Sequence, residues 1–515
     1  VYREWEKDHP FDEGVGWGNE PWSQEEMELN EALVEEAAEK NEYAIVILAR
    51  TAGEDKDNKM LEGAYCLTSI EEDMLQKVRK SFAKMIVLLN TGNIMDMSFM
   101  DQYRPDAVMY VWQGGMIGGL GTVDVLTGKV CPSGRLSDTI AAQMSDYPAD
   151  PYFGGLEQNL YVEDIYVGYR YFESAAKSKV LYPFGFGLSY TTFSMEAGGF
   201  SYAENQVSFV MKVTNTGSVA GKEVVQVYAK APLGKLGKPA RVLIDFKKTK
   251  ELKPGECAEL AFAIPTSVFA SYNEVSTAGM PVGWVLEAGE YTIYAGGNVR
   301  DAYAVGSFTL DELQIVEECR SALAPTTAFK RMKMTAANEH AEAAGVYEVA
   351  MEEVPLRVVS PEEKRNAELP ESYEMTGDRG IKPADVKAGK ATLDEFVAQL
   401  TEEELASIVR GEGMGSPKVT AGTAAAFGGV TKSLLEKGIP CGCCDDGPSG
   451  MRLDSGMKAF SLPNGTLLAC TFNLPLVRSL FEFEGLELRS NHIDALLGPG
   501  INIHRNPLNG RNFEY

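Results

Sequence analysis

No apolar run in this 515-residue chain approaches the roughly 20 residues needed to cross a bilayer, so no membrane partner is expected. Histidine is scarce, with only His9, His340, His492 and His504, and no second cysteine pair stands at finger spacing from Cys441, Cys443 and Cys444. A zinc centre is therefore not expected, nor any other metal. Positive charge is also in deficit. Lys and Arg total 48 against 74 Asp and Glu, a net charge of -26. That balance excludes nucleic acid as a partner, because phosphate contacts need clustered cations. A neutral or cationic ligand fits better. The eight cysteines are scattered except in IPCGCCDDG, where adjacent thiols read as small, buried and free rather than as a disulfide framework. Free thiols favour a reducing compartment, so a cytoplasmic location is the expectation. The charged start VYREWEKDHPFDE is not signal-like, although Val1 is no natural initiator and secretion after loss of a leader stays open.

What is present is ample apolar material, 44% of residues with 10% aromatic, in a chain long enough for two to four domains. From Tyr43 the run YAIVILAR precedes a helical pattern at residues 69–83, then MIVLLN, then AVMYVW at residues 107–112 and the helix-like GGLGTVDVLTG. Continuous apolar strands alternating with helices predict a mostly parallel sheet covered on both faces. The period then changes. Val207, Phe209, Met211 and Val213 alternate with polar residues, as do Ala258, Leu260, Phe262 and Ile264, and YTIYAG adds a further strand. Short strands of period two separated by TNTGSVAG, KPGE and EAGE predict a β-sandwich of fibronectin type III kind. Residues 325–390, rich in Ala, Glu, Lys and Pro, read as a linker with helical pieces. TLDE at Thr392 and TEEE at Thr401 are capping boxes that open two short helices.

Between Val162 and Phe193 the chain reads VEDIYVGYRYF and then LYPFGFGLSYTTF. Locally this is a glycine-punctuated aromatic packing turn. As a pattern it resembles the end of the α/β sandwich domain of glycoside hydrolase family 3, the β-glucosidase and β-xylosidase family. DDGPSGMR and GRNFEY resemble the family's DGP-x-G-x-R and GRNFEY blocks, which belong to the opening part of its (β/α)8 barrel. The resemblance implies an α/β multidomain fold in permuted order. An α/β sandwich occupies 1–192, a fibronectin type III-like β-sandwich 193–318, a linker 319–390 and the first part of a (β/α)8 barrel 391–515. The family's Lys-His pair and its nucleophilic aspartate in an S-D-W block do not occur in these residues. The nucleophile is therefore expected beyond Tyr515, on a remaining barrel fragment that would be a partner of this chain.

Retaining glycoside hydrolysis needs two carboxyl groups about 5–5.5 Å apart, one a nucleophile and one an acid/base. Glu54, in ARTAGEDKDN after the strand at residues 43–49, matches the family's R-x-x-G-E-G-x-D-R loop, whose glutamate serves one subgroup as general acid/base. The carboxyl end of such a strand is where ligand groups gather. Asp55 stands where the pattern has glycine, and would raise the pKa of Glu54. Asn58 stands where it has arginine, and removes a charge able to anchor the loop. Asp446, at a predicted strand end, can accept two hydrogen bonds from vicinal hydroxyls and matches the family's sugar-holding aspartate, with Asp445 a bystander. Arg452 and Arg511 match family arginines that bound the same sugar. For Glu54 the ordinary alternative is solvated surface, for Asp446 a turn cap, and for each arginine a structural salt bridge. Trp112 reads as packing and His504 as a core or loop residue.

The implied activity is a retaining, exo-acting β-glucosidase that takes a β-glucoside or cello-oligosaccharide. No cofactor is called for, since two carboxylates carry the chemistry. A β-xylosidase or broader exo-β-glycosidase is one alternative. A non-catalytic carbohydrate-binding or assembly protein is another, and a β-N-acetylglucosaminidase is disfavoured because it commonly lacks the sandwich domain. Homo-oligomerisation stays open.

Overall fold

The run of β-branched and apolar residues at Tyr43–Arg50 forms strand β1 of a three-stranded parallel sheet in the computed structural model, which describes every residue except 17, 55, 277, 278, 322, 358, 359 and 371. Strand β2 (Lys84–Thr91) lies in the middle and β3 (Ala107–Tyr110) on the far side, in unbroken register from Tyr43 opposite Lys84 to Arg50 opposite Thr91. Helix α1 (Glu31–Lys40) precedes β1, and helix α2 (Ser69–Ser81) connects β1 to β2. The Thr68 hydroxyl and the Glu71 carboxylate close a full capping box at the start of α2. The same Glu71 receives both terminal nitrogens of Arg50, each at 2.7 Å, with both side chains buried. One carboxylate thus fixes the carboxyl end of β1 against the amino end of α2.

The core of this part packs Val34 of α1 and Leu75 and Val78 of α2 against Val46, Leu48, Val87 and Leu89. The apolar strands predict a sheet covered on both faces, and β1 departs from that. Helices α1 and α2 pack on the face carrying Val46 and Leu48, while on the other face Tyr43, Ile45 and Ile47 of the edge strand β1 are each more than half exposed, although Leu88 of β2 is buried there. Apolar residues thus line both faces of β1, and one of those faces lies open along this edge strand. The third strand is also shorter than its apolar run, because Trp112 takes φ +49° and turns the chain out of the sheet. Trp112 is buried, stacked on Tyr110 at 4.5 Å.

The period-two segment builds a sandwich. Strands β4 (Phe193–Ala203), β5 (Gln206–Asn215) and β8 (Cys257–Pro265) form one sheet in the order β8-β5-β4. Strands β6 (Val224–Lys230), β7 (Val242–Lys248), β9 (Gly289–Gly296) and β10 (Tyr303–Leu310) form the other in the order β10-β9-β6-β7. Val207, Phe209, Met211 and Val213 all point into the shared core, at 2% exposure or less. The aromatic-glycine turn docks this sandwich on the first part. Gly185 holds φ +80°, and a Cβ there would fall 2.0 Å from Oε1 of the buried Gln226, whose amide nitrogen donates to the carbonyls of Gly185 and Gly297. Only glycine admits that approach.

Residues 319–390 contain more than helical pieces. Strands β11 (Lys330–Thr335) and β12 (Glu348–Glu353) pair as an antiparallel hairpin, and Met334 and Tyr347 pack against Tyr166 of the first part. Both predicted capping boxes then form, at Thr392 and Thr401. Strand β13 (Ala425–Gly428) runs antiparallel to β14 (Cys441–Asp446), and β15 (Ala495–Leu497) runs parallel to β14 after the 17-residue helix α3 (Leu474–Ser490). All eight cysteines are free thiols, and burial raises the thiol pKa of Cys441 and Cys444. Among the described residues no helix is long and apolar enough to cross a membrane.

Candidate functional site

The loop after β1 presents Glu54 where the chain's last residues come back to meet it. Gly53 N–H donates to the carbonyl of Gly510 at 3.2 Å, Asn58 N–H to the carbonyl of Leu508 at 2.6 Å, and Gly510 N–H to the Asp57 carboxylate at 3.0 Å. A Cβ on Gly510 would lie 2.2 Å from the carbonyl oxygen of Lys56 and 2.5 Å from that of Gly53, so this contact is backbone against backbone. The loop after β2 joins it through Asn93, whose side-chain amide donates to the carbonyl of Asn509 at 2.7 Å. The loop after β3 joins through Met116 N–H to Ser461 O at 3.2 Å and Asn464 N–H to Gln113 O at 3.0 Å. All three carboxyl ends of the parallel sheet therefore face the segment 449–515. Crevices at this end of an open α/β sheet are where ligands bind.

Within this contact the Arg511 guanidinium donates to the Glu54 carboxylate at 2.9 Å, joining residues 457 positions apart. Arg511 is clamped on its other side by Glu514, which raises the guanidinium's pKa further. The Tyr515 ring lies 5.8 Å from the same guanidinium, and burial lifts its phenol above the usual range. Glu54 and Arg511 are half exposed, at 51% and 41% of their side chains. An ion pair so open contributes at most about 1 kcal/mol and exchanges readily for another partner. Asp57 holds the loop through the Gly510 N–H, so the anchoring expected to be lost at Asn58 is supplied by backbone bonds and a carboxylate. Asp55 lies outside the described residues.

Asp446 ends β14, where its carbonyl accepts from the Arg452 N–H at 2.9 Å. The structure thus brings Asp446 and Arg452 together through the main chain, while the Arg452 guanidinium turns outward to Asp454 at 3.2 Å. The neighbouring Asp445 is fully buried, and neither of its oxygens has a hydrogen-bond partner. Desolvation pushes its pKa up to about 6, helped by the adjacent Asp446 carboxylate and opposed by the nearby N–H dipoles of Asp446 and Arg452, neither of which makes a well-formed hydrogen bond to it. The two pairs belong to one end of the fold. Leu497 at the end of β15 is in register with Asp446, the next residue Gly498 lies against Pro448, and Gly500 lies against Glu514 and Tyr515.

His504 is part-buried, with Nδ1 at 2.8 Å from Asp138. Burial works against its cation, but the Asp138 carboxylate outweighs this and raises the imidazole's pKa, while the Asp138 pKa is lowered. Arg505 is similarly tied to the buried Glu163 and lies over the Tyr161 ring at 4.2 Å. The partners missed from sequence are Glu514, Asp138 and Glu163. Glu514 was findable, standing one helical turn after Arg511. The other two lie more than 300 residues from theirs, beyond any local pattern.

Comparison with known proteins places this geometry. Residues 23–190 match the Glycosyl hydrolase family 3 C-terminal domain and residues 223–299 the Fibronectin type III-like domain. A β-glucosidase of Ruminococcus albus is 55% identical across the whole chain, which covers 53% of that protein. β-Glucosidase A of Butyrivibrio fibrisolvens is 36% identical over 97% of the chain and 66% of its own length. The crystal structure of a β-glucosidase from Paenibacillus barengoltzii superposes on all of the chain with a TM-score of 0.96 and 52% identity, 56% of that structure being covered. The chain thus spans between about half and two thirds of the length of these relatives.

Proposed function

The chain belongs to glycoside hydrolase family 3, and from that membership we propose that it carries the acid/base and the sugar-holding groups of a retaining, exo-acting β-glucosidase. Its substrate would be a terminal non-reducing β-D-glucosyl residue of a β-glucoside or cello-oligosaccharide. The observation that supports this reading is the Glu54–Arg511 pair at the junction where the carboxyl ends of β1, β2 and β3 meet the DGPSGMR-to-Tyr515 segment.

Glu54 is the proton donor to the leaving glycosidic oxygen and then the base for the attacking water. Its partner Arg511 is held by Glu514, so Glu54 can leave the pair without stranding a lone cation. Asp446, at the end of β14, accepts hydrogen bonds from two adjacent sugar hydroxyls, with Arg452 and Arg511 bordering the sugar. Residues 391–515 are the first part of the barrel. The nucleophilic aspartate is supplied by the rest of that barrel, outside residues 1–515, at about 5–5.5 Å from Glu54 for a retaining reaction.

The test is hydrolysis of p-nitrophenyl β-glucoside by Glu54→Ala. A loss of about 10²- to 10⁴-fold, with azide restoring turnover and giving the β-glucosyl azide, is expected for an acid/base. Unchanged turnover, or a loss that azide leaves untouched, would refute the assignment. The same assay on the β-xyloside decides whether the pocket requires the sugar's C6 group.

A further inference from the structure

Between the α/β part and the sandwich lies an open cleft of about 310 Å³ lined by Glu173, Lys177, Arg241, Val299 and Arg300. Three cations and one carboxylate face it in a chain of net charge -26. The carboxylate is already engaged, since Glu173 accepts from Arg300 Nε at 2.9 Å, and Arg300 also donates to the Lys177 carbonyl at 2.6 Å. Neither Arg241 nor Lys177 forms an ion pair among the described residues. Arg241 instead lies over the Tyr294 ring, its guanidinium 3.3 Å from the ring centre. Its Nη1 makes one long bond to the Ala240 carbonyl at 3.3 Å, and its Nε is buried with no hydrogen-bond partner.

A guanidinium lying over an aromatic ring and left without an acid is oriented yet uncompensated. Such an arrangement suits a planar or tetrahedral oxyanion, which accepts two parallel N–H bonds and supplies the missing charge. We propose that this cleft binds a small phosphate-type dianion, either free or as the phosphoryl group of a small sugar phosphate, between Arg241, Lys177 and Arg300. The ligand would bridge helix α4 (Tyr169–Ala175) and the turn after it, which carry Glu173 and Lys177, to β7's start and the β9–β10 turn, which carry Arg241 and Arg300. It would thereby brace the two domains.

The purified protein is titrated calorimetrically with sodium phosphate and with glucose 6-phosphate, at ionic strength held constant by sodium chloride. Binding that Arg241→Met weakens by about tenfold or more, the loss expected on removing a charge-assisted pair, supports the site. Lys177→Met, at an exposed position, should weaken it less while leaving the fold intact. A sugar phosphate that binds more tightly than phosphate identifies the phosphorylated sugar as the ligand, and equal affinities identify the free anion. No heat above the chloride control, or binding indifferent to both substitutions, overturns the proposal.

Discussion

Asp445 stands one residue before the sugar-holding candidate and is fully buried, and desolvation pushes its carboxyl up to about 6. Because its folded pKa lies above the ordinary carboxylate value, the native state binds the extra proton and stability falls as pH rises from about 4 through 6. Asp445→Asn should flatten that part of the profile. At pH 7.5 it should raise the thermal midpoint by about 2–4 °C per kcal/mol recovered, measured by calorimetry. An unchanged profile would show that the carboxylate finds a donor in solution. Glu484 in α3 behaves alike, with burial and the nearby Glu487 pushing it up to about 7, so Glu484→Gln should remove a second descent at slightly higher pH. The residue scale is also where sequence reading is weakest. Glu54, Asp446, Arg452 and Arg511 could be named from their motifs, but neither the 2.9 Å pairing of Glu54 with Arg511 nor the burial of Asp445 leaves a local trace. Both depend on segments that meet only in the folded chain.

Among the elements, β1 and the turn at Gly510 set the position of the Glu54 loop from either side. Arg50 and Glu71 form a buried bidentate pair, and removing one partner leaves an unpaired buried charge, so Glu71→Gln should cost about 3–5 kcal/mol in denaturant unfolding. Gly510→Ala places a methyl 2.2 Å from a backbone oxygen, which no rotamer relieves, and must push the loop away. Its expected signature is a fall in kcat/KM with little change in the unfolding midpoint of the sandwich strands, read by hydrogen exchange. The elements themselves were largely legible. Helix α2 and strands β1 and β5 follow their apolar periods, and the Thr392 and Thr401 boxes lie where their spacing put them. The hairpin β11–β12 was not, because its strands are short and crowded with charge, Arg331 and Lys333 pairing with Glu352, and the alternating Met332, Met334, Val349 and Met351 are too few to stand out within a linker-like composition.

Over the whole molecule, the sandwich, the sheet and the last segment are fastened by a few buried polar ties. Lys248 of β7 donates to the carbonyls of Ser133 and Thr471, and Gln226 to those of Gly185 and Gly297. The open face of β1 is the counterweight. With Tyr43, Ile45 and Ile47 in water, these residues should bind 1-anilinonaphthalene-8-sulfonate, and Ile45→Ser with Ile47→Ser should lower that fluorescence without shifting the thermal midpoint. Fluorescence that the double substitution leaves unchanged would show that the face is covered in solution. The bond between Glu54 and Arg511 also carries a cost in time. With Arg511 457 positions after Glu54 and synthesis at about 5–20 residues per second, the Glu54 loop leaves the ribosome roughly 25–90 s before the arginine that holds it. For that interval the Glu54 loop stands with its carboxylate in water and none of the last segment packed against it, and any protease or chaperone meets the loop before its partner exists.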